Sequence, residues 1–422
     1  MKSTHSKYKK LKTKLLWTIL YLLVFLIGRN IAVPLLYGTF SSDHSYLTNA
    51  ANIATGADSY SASLFSLGLG PWMGATIIWR FLMIDRIAQK RRITQKTTNY
   101  ARTILMLFLA ILQAISFMSH YNIKAISLLG THSQIASQIL IVLTLVTGSF
   151  FVVWLANRNQ EKGLGGMTVF IMIQIVISSM RTLPQISNLT LTQTHTRIIT
   201  FIVVLCILVF IISILLNNSE YRIHLNKVGI DNGHTGLSYV PIKLNPAGAM
   251  PIMYAMTLLI LPQYIFQALT YIFPELNVNS ILLSQLTLSH PVGFVVYLVL
   301  LFTLSLFFGM FTVSPKTLSE QMKHNGDYFD FIYPGQATRK HLENIVLKLS
   351  IVSGVVLCLL VGLPLILLQV DTSLSYLYTM PGTIMIFVFL VLVIQEEVAD
   401  LFIDTKYRSI FFDDASNRKV IL

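Results

Sequence analysis

An apolar segment that breaks in its own middle is the strongest constraint in this chain. Residues 65–82 read FSLGLGPWMGATIIWRFL, and Gly68, Gly70 and Pro71 interrupt a run that would otherwise cross a bilayer as one helix. In lipid every backbone N–H and C=O needs an internal partner. A broken helix at that depth is tolerated only where it is buried in protein or lines a water-filled cavity. The break points to a pore or a gate.

The rest of the chain puts that segment in a membrane. Of 422 residues, 54% are hydrophobic and only 12% charged, with a mean hydropathy of +0.67, which no ordinary water-soluble domain sustains. Apolar runs of spanning length lie at about 15–36, 100–120, 135–156, 167–184, 198–216, 246–261, 292–313, 345–368 and 376–398, and the broken segment as the second makes ten. The chain is expected to be an all-α polytopic membrane protein. Its halves, 1–184 and 185–422, would each hold five spans, and the odd count makes any repeat inverted in topology. The broken second span and the seventh, with Asn245, Pro246, Gly248 and Pro251 at its start, are irregular at corresponding places. Such a pair marks the functional centre of many transport proteins.

A net charge of +13 raises the question of nucleic acid, but the basic residues sit in alternate loops. Lys2, Lys7, Lys9, Lys10, Lys12 and Lys14 precede span one, Arg86, Lys90, Arg91, Arg92 and Lys96 follow span two, and Lys406, Arg408, Arg418 and Lys419 follow span ten. That asymmetry sets both termini in the cytoplasm. Cys206 and Cys358 lie in apolar spans as small hydrophobes, with no disulfide framework or metal site implied. The first span is too long for a signal-peptide core and is expected to be retained.

Catalytic chemistry is missing from the sequence. There is no phosphate-binding GxxxxGK[ST], no HExxH, and no recognisable nucleophile motif, so no enzyme activity and no cofactor are expected. Arg29, Arg80 and Arg102 fall near span ends, where snorkelling to the interface explains them. A small-molecule or lipid transporter would show a compact midplane site with charged or aromatic groups, and a membrane enzyme would cluster Asp, Glu, His or Ser within spans; neither pattern is found. Two polar connections, 217–243 and 314–340, stand out by length and are candidate docking surfaces for a cytosolic partner.

At these residues the sequence resembles the SecY family of protein-translocation channels. The resemblance runs in order through the broken segment with its FxLGxxP turn, NYARTILMLFLAILQAI at 99–115, LVTGSFFVVWLANRNQEKGLGG at 145–166, and PIKLNPAGAMPIMYA at 241–255. It continues in SPKTLSEQMKHNGDYFDFIYPGQATRKHLENIVLKL at 314–349 and PGTIMIFVFLVLVIQEEVADL at 381–401. The departures from the family pattern gather on the polar loops. Tyr333 precedes Pro334 and Gly335 where the family presents an arginine to the motor ATPase SecA. A shortened Gly163, Leu164, Gly165, Gly166 follows span four, and Tyr221, Arg222 and His224 replace paired arginines and a proline. This divergence resembles the accessory branch found in Gram-positive cocci, which exports serine-rich glycosylated adhesins with its own SecA.

The resemblance implies a protein-conducting channel in the bacterial plasma membrane, with the general housekeeping SecY as the alternative. It implies a pore ring of Met73, Ile77, Ile171, Ile175, Met253 and Phe387, and a lateral gate with Thr76, Gln113 and Asn245 as its polar cluster. It further implies a plug over about 54–66, polar and with little apolar area to hold it, and motor docking through Arg222, Lys316, Lys323, Tyr333, Arg339 and Lys340. The implied partners are an accessory SecA-type ATPase, small SecE- and SecG-like membrane subunits, membrane lipid, and an unfolded or glycosylated preprotein with a signal sequence. Nucleic acid is not among them.

Overall fold

A computed structural model describes residues 2–37, 62–84, 94–119, 121–123, 126–128, 131–187, 193–227, 238–272, 285–370 and 375–417. Each of the ten apolar segments falls on a helix: α1 (Lys2–Asn30), α2 (Gly70–Ile84), α3 (Gln95–Met118), α4 (Gln134–Lys162), α5 (Gly166–Ser187), α6 (Gln193–Asn218), α7 (Met250–Ile272), α8 (Pro291–Val313), α10 (Gln336–Val370) and α11 (Ser375–Asn417). An eleventh, α9 (Pro315–Asn325), is short and polar. Eight of the ten are long and apolar enough to cross a membrane; α2 and α5 are the shorter two. The protein is a multi-pass membrane protein.

Short antiparallel ribbons are added to the helices that the apolar runs predict. β1 (Leu36–Tyr37) pairs with β2 (Asn122–Ile123), β3 (Ile126–Leu128) with β4 (Thr131–Ser133), β5 (Glu220–His224) with β7 (Tyr239–Lys243), and β6 (Asn226–Lys227) with β8 (Asp327–Tyr328). The described chain groups into two compact units. One holds α1 to α4, α5 as far as Arg181, and α11 from Leu390; the other holds α6 to α10 and α11 as far as Phe389.

In the first unit the backbone of the broken span is satisfied within the protein. Val33 N donates to Ala62 O over 2.7 Å and Leu64 N to Ile31 O over 2.9 Å, so the segment pairs with the chain leaving α1. Turns do the rest: Ser66 N to Ser63 O, Gly68 N to Phe65 O, and Gly70 N to Leu67 O, with Gly68 at φ 52°. A Cβ at Gly148 would land on the Leu64 carbonyl oxygen, and one at Gly28 on the Phe65 ring. Those two glycines let α4 and α1 close over the break. Phe65, 3% exposed, stacks on Phe25 and Phe151 with centroids 5.9 and 5.8 Å away. Of the plug expected at 54–66, residues 54–61 lie outside the described residues, and 62–66 form a bridge and turns rather than helix. Its last residues are firmly packed, contrary to the expectation of little apolar hold.

The turn from α4 into α5 is pinned by side chains. Buried Asn159 donates from Nδ2 to the carbonyls of Leu164 (2.8 Å) and Gly166 (3.0 Å); Leu164 N donates to Thr18 Oγ1 and Gly165 N to Glu397 Oε2, each over 2.8 Å. Gly165 and Gly166, at φ 69° and 44°, supply the left-handed backbone this turn requires.

In the second unit α8 and α10 pack through small residues. Ser350, Gly354, Cys358 and Gly362 recur every fourth position, which aligns them on one helix face. A Cβ at Gly354 would sit 3.1 Å from Ser305 Oγ, and one at Gly362 3.0 Å from Leu298 Cδ2, so α8 side chains pack into the space these glycines leave on α10. Cys206 and Cys358 are half-buried and unbridged.

The two polar connections are folded rather than loose. Ser314, left-handed at φ 48°, ends α8, and Pro315 starts α9, which Gly326 closes at φ 74°. The β5–β7 ribbon comes from the first connection, while β6–β8 ties the two connections together. Beneath them Leu225, Ile242, Met322, Phe329, Leu342 and Val346 form a small hydrophobic core.

Candidate functional site

Within the first unit, Met73 and Ile77 lie one turn apart on α2 and are 4% and 0% exposed; Ile171 and Ile175 have the same spacing on α5 at 5% and 3%. In the second unit Met253 on α7 is buried, and Phe387 on α11 is half-buried. All six expected ring residues are therefore buried or half-buried apolar groups, carried by four helices.

The expected gate residues are buried polar groups, and two of them, Thr76 and Asn245, have incomplete hydrogen bonding. Thr76 and Gln113 sit on α2 and α3, which pack together in the first unit. Thr76 Oγ1 has no partner. Asn245, 1% exposed in the turn before α7, donates from Nδ2 to Gly248 O over 3.3 Å, while its Oδ1 has none. Buried polar atoms without partners are costly in an apolar surrounding, and they concentrate where a structure has work to do.

On the folded polar extension of the second unit, Lys316 and Lys323 are exposed along α9, and Lys340 is exposed in the first turn of α10. Arg339 pairs with Glu343 at 2.6 Å. The Arg222 guanidinium lies 4.8 Å from the Tyr239 ring centroid and 3.8 Å from the Glu220 carboxylate. Tyr333 is 85% exposed.

Two features escaped the sequence. Arg29 is not at the interface: it is 5% exposed and donates from Nη1 to Gln174 Oε1 over 2.9 Å, which replaces the snorkelling expectation for that residue. Phe331, fully exposed at the tip between β8 and α10, is held at φ 60°. A bulky side chain in the left-handed region is an outlier, and here no burial repays it. Its neighbours are fixed: Phe329 is buried against His341, Asp330 accepts a hydrogen bond from Asn226, and Tyr333 O accepts one from Thr338 Oγ1 at 3.0 Å. Among the described residues no group of three His, Cys, Asp or Glu is placed to hold a metal ion.

The family model described as SecY matches residues 63–395, from the bridge before the break to the last span. The chain belongs to the SecY family. It is a protein-translocation channel subunit and not an enzyme. Among SecY relatives, the accessory Sec system protein translocase subunit SecY2 of Leuconostoc gelidum subsp. gasicomitatum is 33% identical over 407 residues, covering 95% of this chain and 97% of the relative. The protein of the same name from Streptococcus sanguinis is 30% identical, with 94% and 97% covered. A solved structure described as that of a protein conducting channel superimposes with a TM-score of 0.66 over 93% of each chain. At 18% identity that likeness establishes the SecY fold.

Proposed function

We propose that this chain is the protein-conducting subunit of an accessory Sec system in a bacterial plasma membrane, exporting signal-bearing preproteins with a separate SecA-type ATPase as motor. The observation that carries this reading is the end-to-end similarity to SecY2 proteins, at 33% identity over 95% of the chain, with the broken second span built in. Serine-rich glycosylated adhesins are the proposed cargo, and small SecE- and SecG-like subunits the proposed membrane partners. Both termini are taken as cytoplasmic from the distribution of basic residues.

In this reading residues 1–184 and 185–422 are the two halves of the channel. Met73, Ile77, Ile171, Ile175, Met253 and Phe387 form an apolar ring that excludes water and ions when no cargo is present. The plug at about 54–66 closes the external side. Thr76, Gln113 and Asn245 line the seam at which a hydrophobic signal helix inserts. The motor engages Arg222, Lys316, Lys323, Tyr333, Arg339 and Lys340 on the folded extension, whose exposed cations steer an acidic partner surface.

The test is reconstitution of the chain with its motor and auxiliary subunits in vesicles, measuring ATP-dependent import of a preprotein. Import dependent on the accessory motor is expected, and import equally well driven by the general SecA would instead favour a housekeeping channel. In the same vesicles Met253→Asn should hydrate the ring, raising ion conductance and admitting cargo with defective signals. Unchanged conductance would remove Met253 from the constriction.

A further inference from the structure

Two buried side-chain contacts join α1 to α5 within the first unit. The rings of Phe25 and Phe170 meet edge to face with centroids 5.4 Å apart, and one turn further on Arg29 Nη1 donates to Gln174 Oε1 over 2.9 Å. Phe25 and Arg29 are four residues apart on α1, as Phe170 and Gln174 are on α5, so each pair lies along one helix face. The first contact is apolar. The second carries a cation, buried together with its amide partner.

Both helices carry parts of the proposed closure beside this seam. On α5, Ile171 and Ile175 follow Phe170 and Gln174 by one residue each, about 100° round the helix, and both are buried. Rotation of α5, or slip along its axis, moves that row. On α1 the same turns hold the break: Phe65 stacks on Phe25 and lies against Gly28, and the chain leaving the helix pairs through Ile31 and Val33 with Leu64 and Ala62. The contact between Phe25 and Phe170 is held chiefly by burial, which is non-directional. A hydrogen bond is directional: it weakens steeply when misaligned, and it is stronger in an apolar surrounding than in water. A buried ionic group is weak as a source of stability, and its best-attested use is to fix register.

We propose that Arg29 and Gln174 are positioning residues for the closed channel, an inference that rests on the pore ring assigned above. Their hydrogen bond fixes the rotation and register of α5 against α1. Ile171 and Ile175 are thereby set by the same turns of α1 that hold residues 62–66, so the α5 share of the ring and the end of the plug segment have one anchor. Without the polar contact the seam still packs, but α5 is free to settle in more than one register, and the ring then closes imperfectly.

The test separates stability from closure. Wild type, Gln174→Leu and the double variant Arg29→Met, Gln174→Leu are purified as full chains, their Tm measured in one detergent, and their ion leak and defective-signal export measured in vesicles. Gln174→Leu should lose Tm and leak. The double variant should regain Tm yet still leak at least about fivefold above wild type and admit defective signals, the lower end for a coupling between two sites. A merely structural contact predicts that leak returns to the wild-type level as Tm recovers, and that outcome overturns the proposal. Register is read without any pore by spin labels at Ile27→Cys on α1 and Met180→Cys on α5, both exposed, in a Cys206→Ala, Cys358→Ala background. One narrow distance is expected with the native pair and a shifted or broadened distribution in the double variant; an unchanged distribution also overturns the proposal. Met253→Asn is the control for the ring itself. A changed distance with no leak in either the double variant or Met253→Asn would place the fault in the ring assignment and leave the register contact standing. Should the apolar variants fail to fold, Gln174→Glu keeps a partner for Arg29 and Gln174→Asn shortens its reach by one methylene: leak in the Asn variant alone supports the proposal, and equal leak in both rejects it.

Discussion

Arg29 Nη1 donates to Gln174 Oε1 over 2.9 Å, joining the end of α1 to the middle of α5 where the two residues are only 5% and 2% exposed. A charge held this far from water depends on each of its hydrogen bonds. Gln174→Leu is expected to destabilise the protein by about 2 kcal/mol, within the range for a hydrogen bond to a charged group. Arg29→Met combined with Gln174→Leu should recover part of that loss, because the buried charge that had lost a hydrogen bond is gone. Thermal unfolding of the single and double variants in one detergent measures the coupling.

Gly148→Ala should disturb the break itself. The added methyl meets the Leu64 carbonyl, which is backbone and moves only with the whole turn. A cost of about 1–3 kcal/mol is expected for forced repacking of this kind. In the proposed channel the turn carries the plug, so ion leak in vesicles should rise before global unfolding is seen. Unaltered leak with a lowered Tm would confine Gly148 to stability.

Asn159→Ala removes both hydrogen bonds that hold the Leu164 and Gly166 carbonyls. Two buried acceptors lose their donor, at about 1–3 kcal/mol each before any water enters. Faster backbone hydrogen exchange across the α4–α5 turn is the expected signature, with α8 and α10 unaffected.

Phe331→Gly separates folding from binding. Relief of the left-handed backbone should stabilise the isolated protein by up to about 1 kcal/mol. In the proposed complex the exposed ring is an anchor for the motor, so the same change should weaken motor binding about tenfold. A stabilised variant with full motor affinity would leave Phe331 without a role at that surface. Tyr333→Arg tests partner choice: a gain of function with the general SecA would place discrimination on that one side chain.

The positions of all ten helices were legible in the linear pattern, because a bilayer demands long apolar runs and tolerates few charges in them. The break at Gly68–Pro71 was equally plain, since nothing but protein or water can shelter an open backbone at that depth. The shelter itself was not legible. Gly28 and Gly148 are far from Leu64 and Phe65 in sequence, and only tertiary approach makes those glycines necessary.

Polar segments were where the pattern fell short. Residues 217–243 and 314–340 carry no long apolar period, so they suggested loops; Leu225, Ile242, Met322 and Phe329 come from separate short elements and make a core only once β6 pairs with β8. Arg29 looked like an interfacial charge because its distance from a span end is a linear quantity, whereas its partner Gln174 is set by packing. Composition and apolar length thus determined by themselves that this chain is a multi-pass membrane protein with ten apolar segments and a break in the second, since both follow from the solvent each residue meets. Which buried polar groups find partners, and which of Thr76, Arg102 and Asn245 keep an atom without one, was decided by tertiary structure alone, because hydrogen bonds depend on distances that the order of residues does not contain.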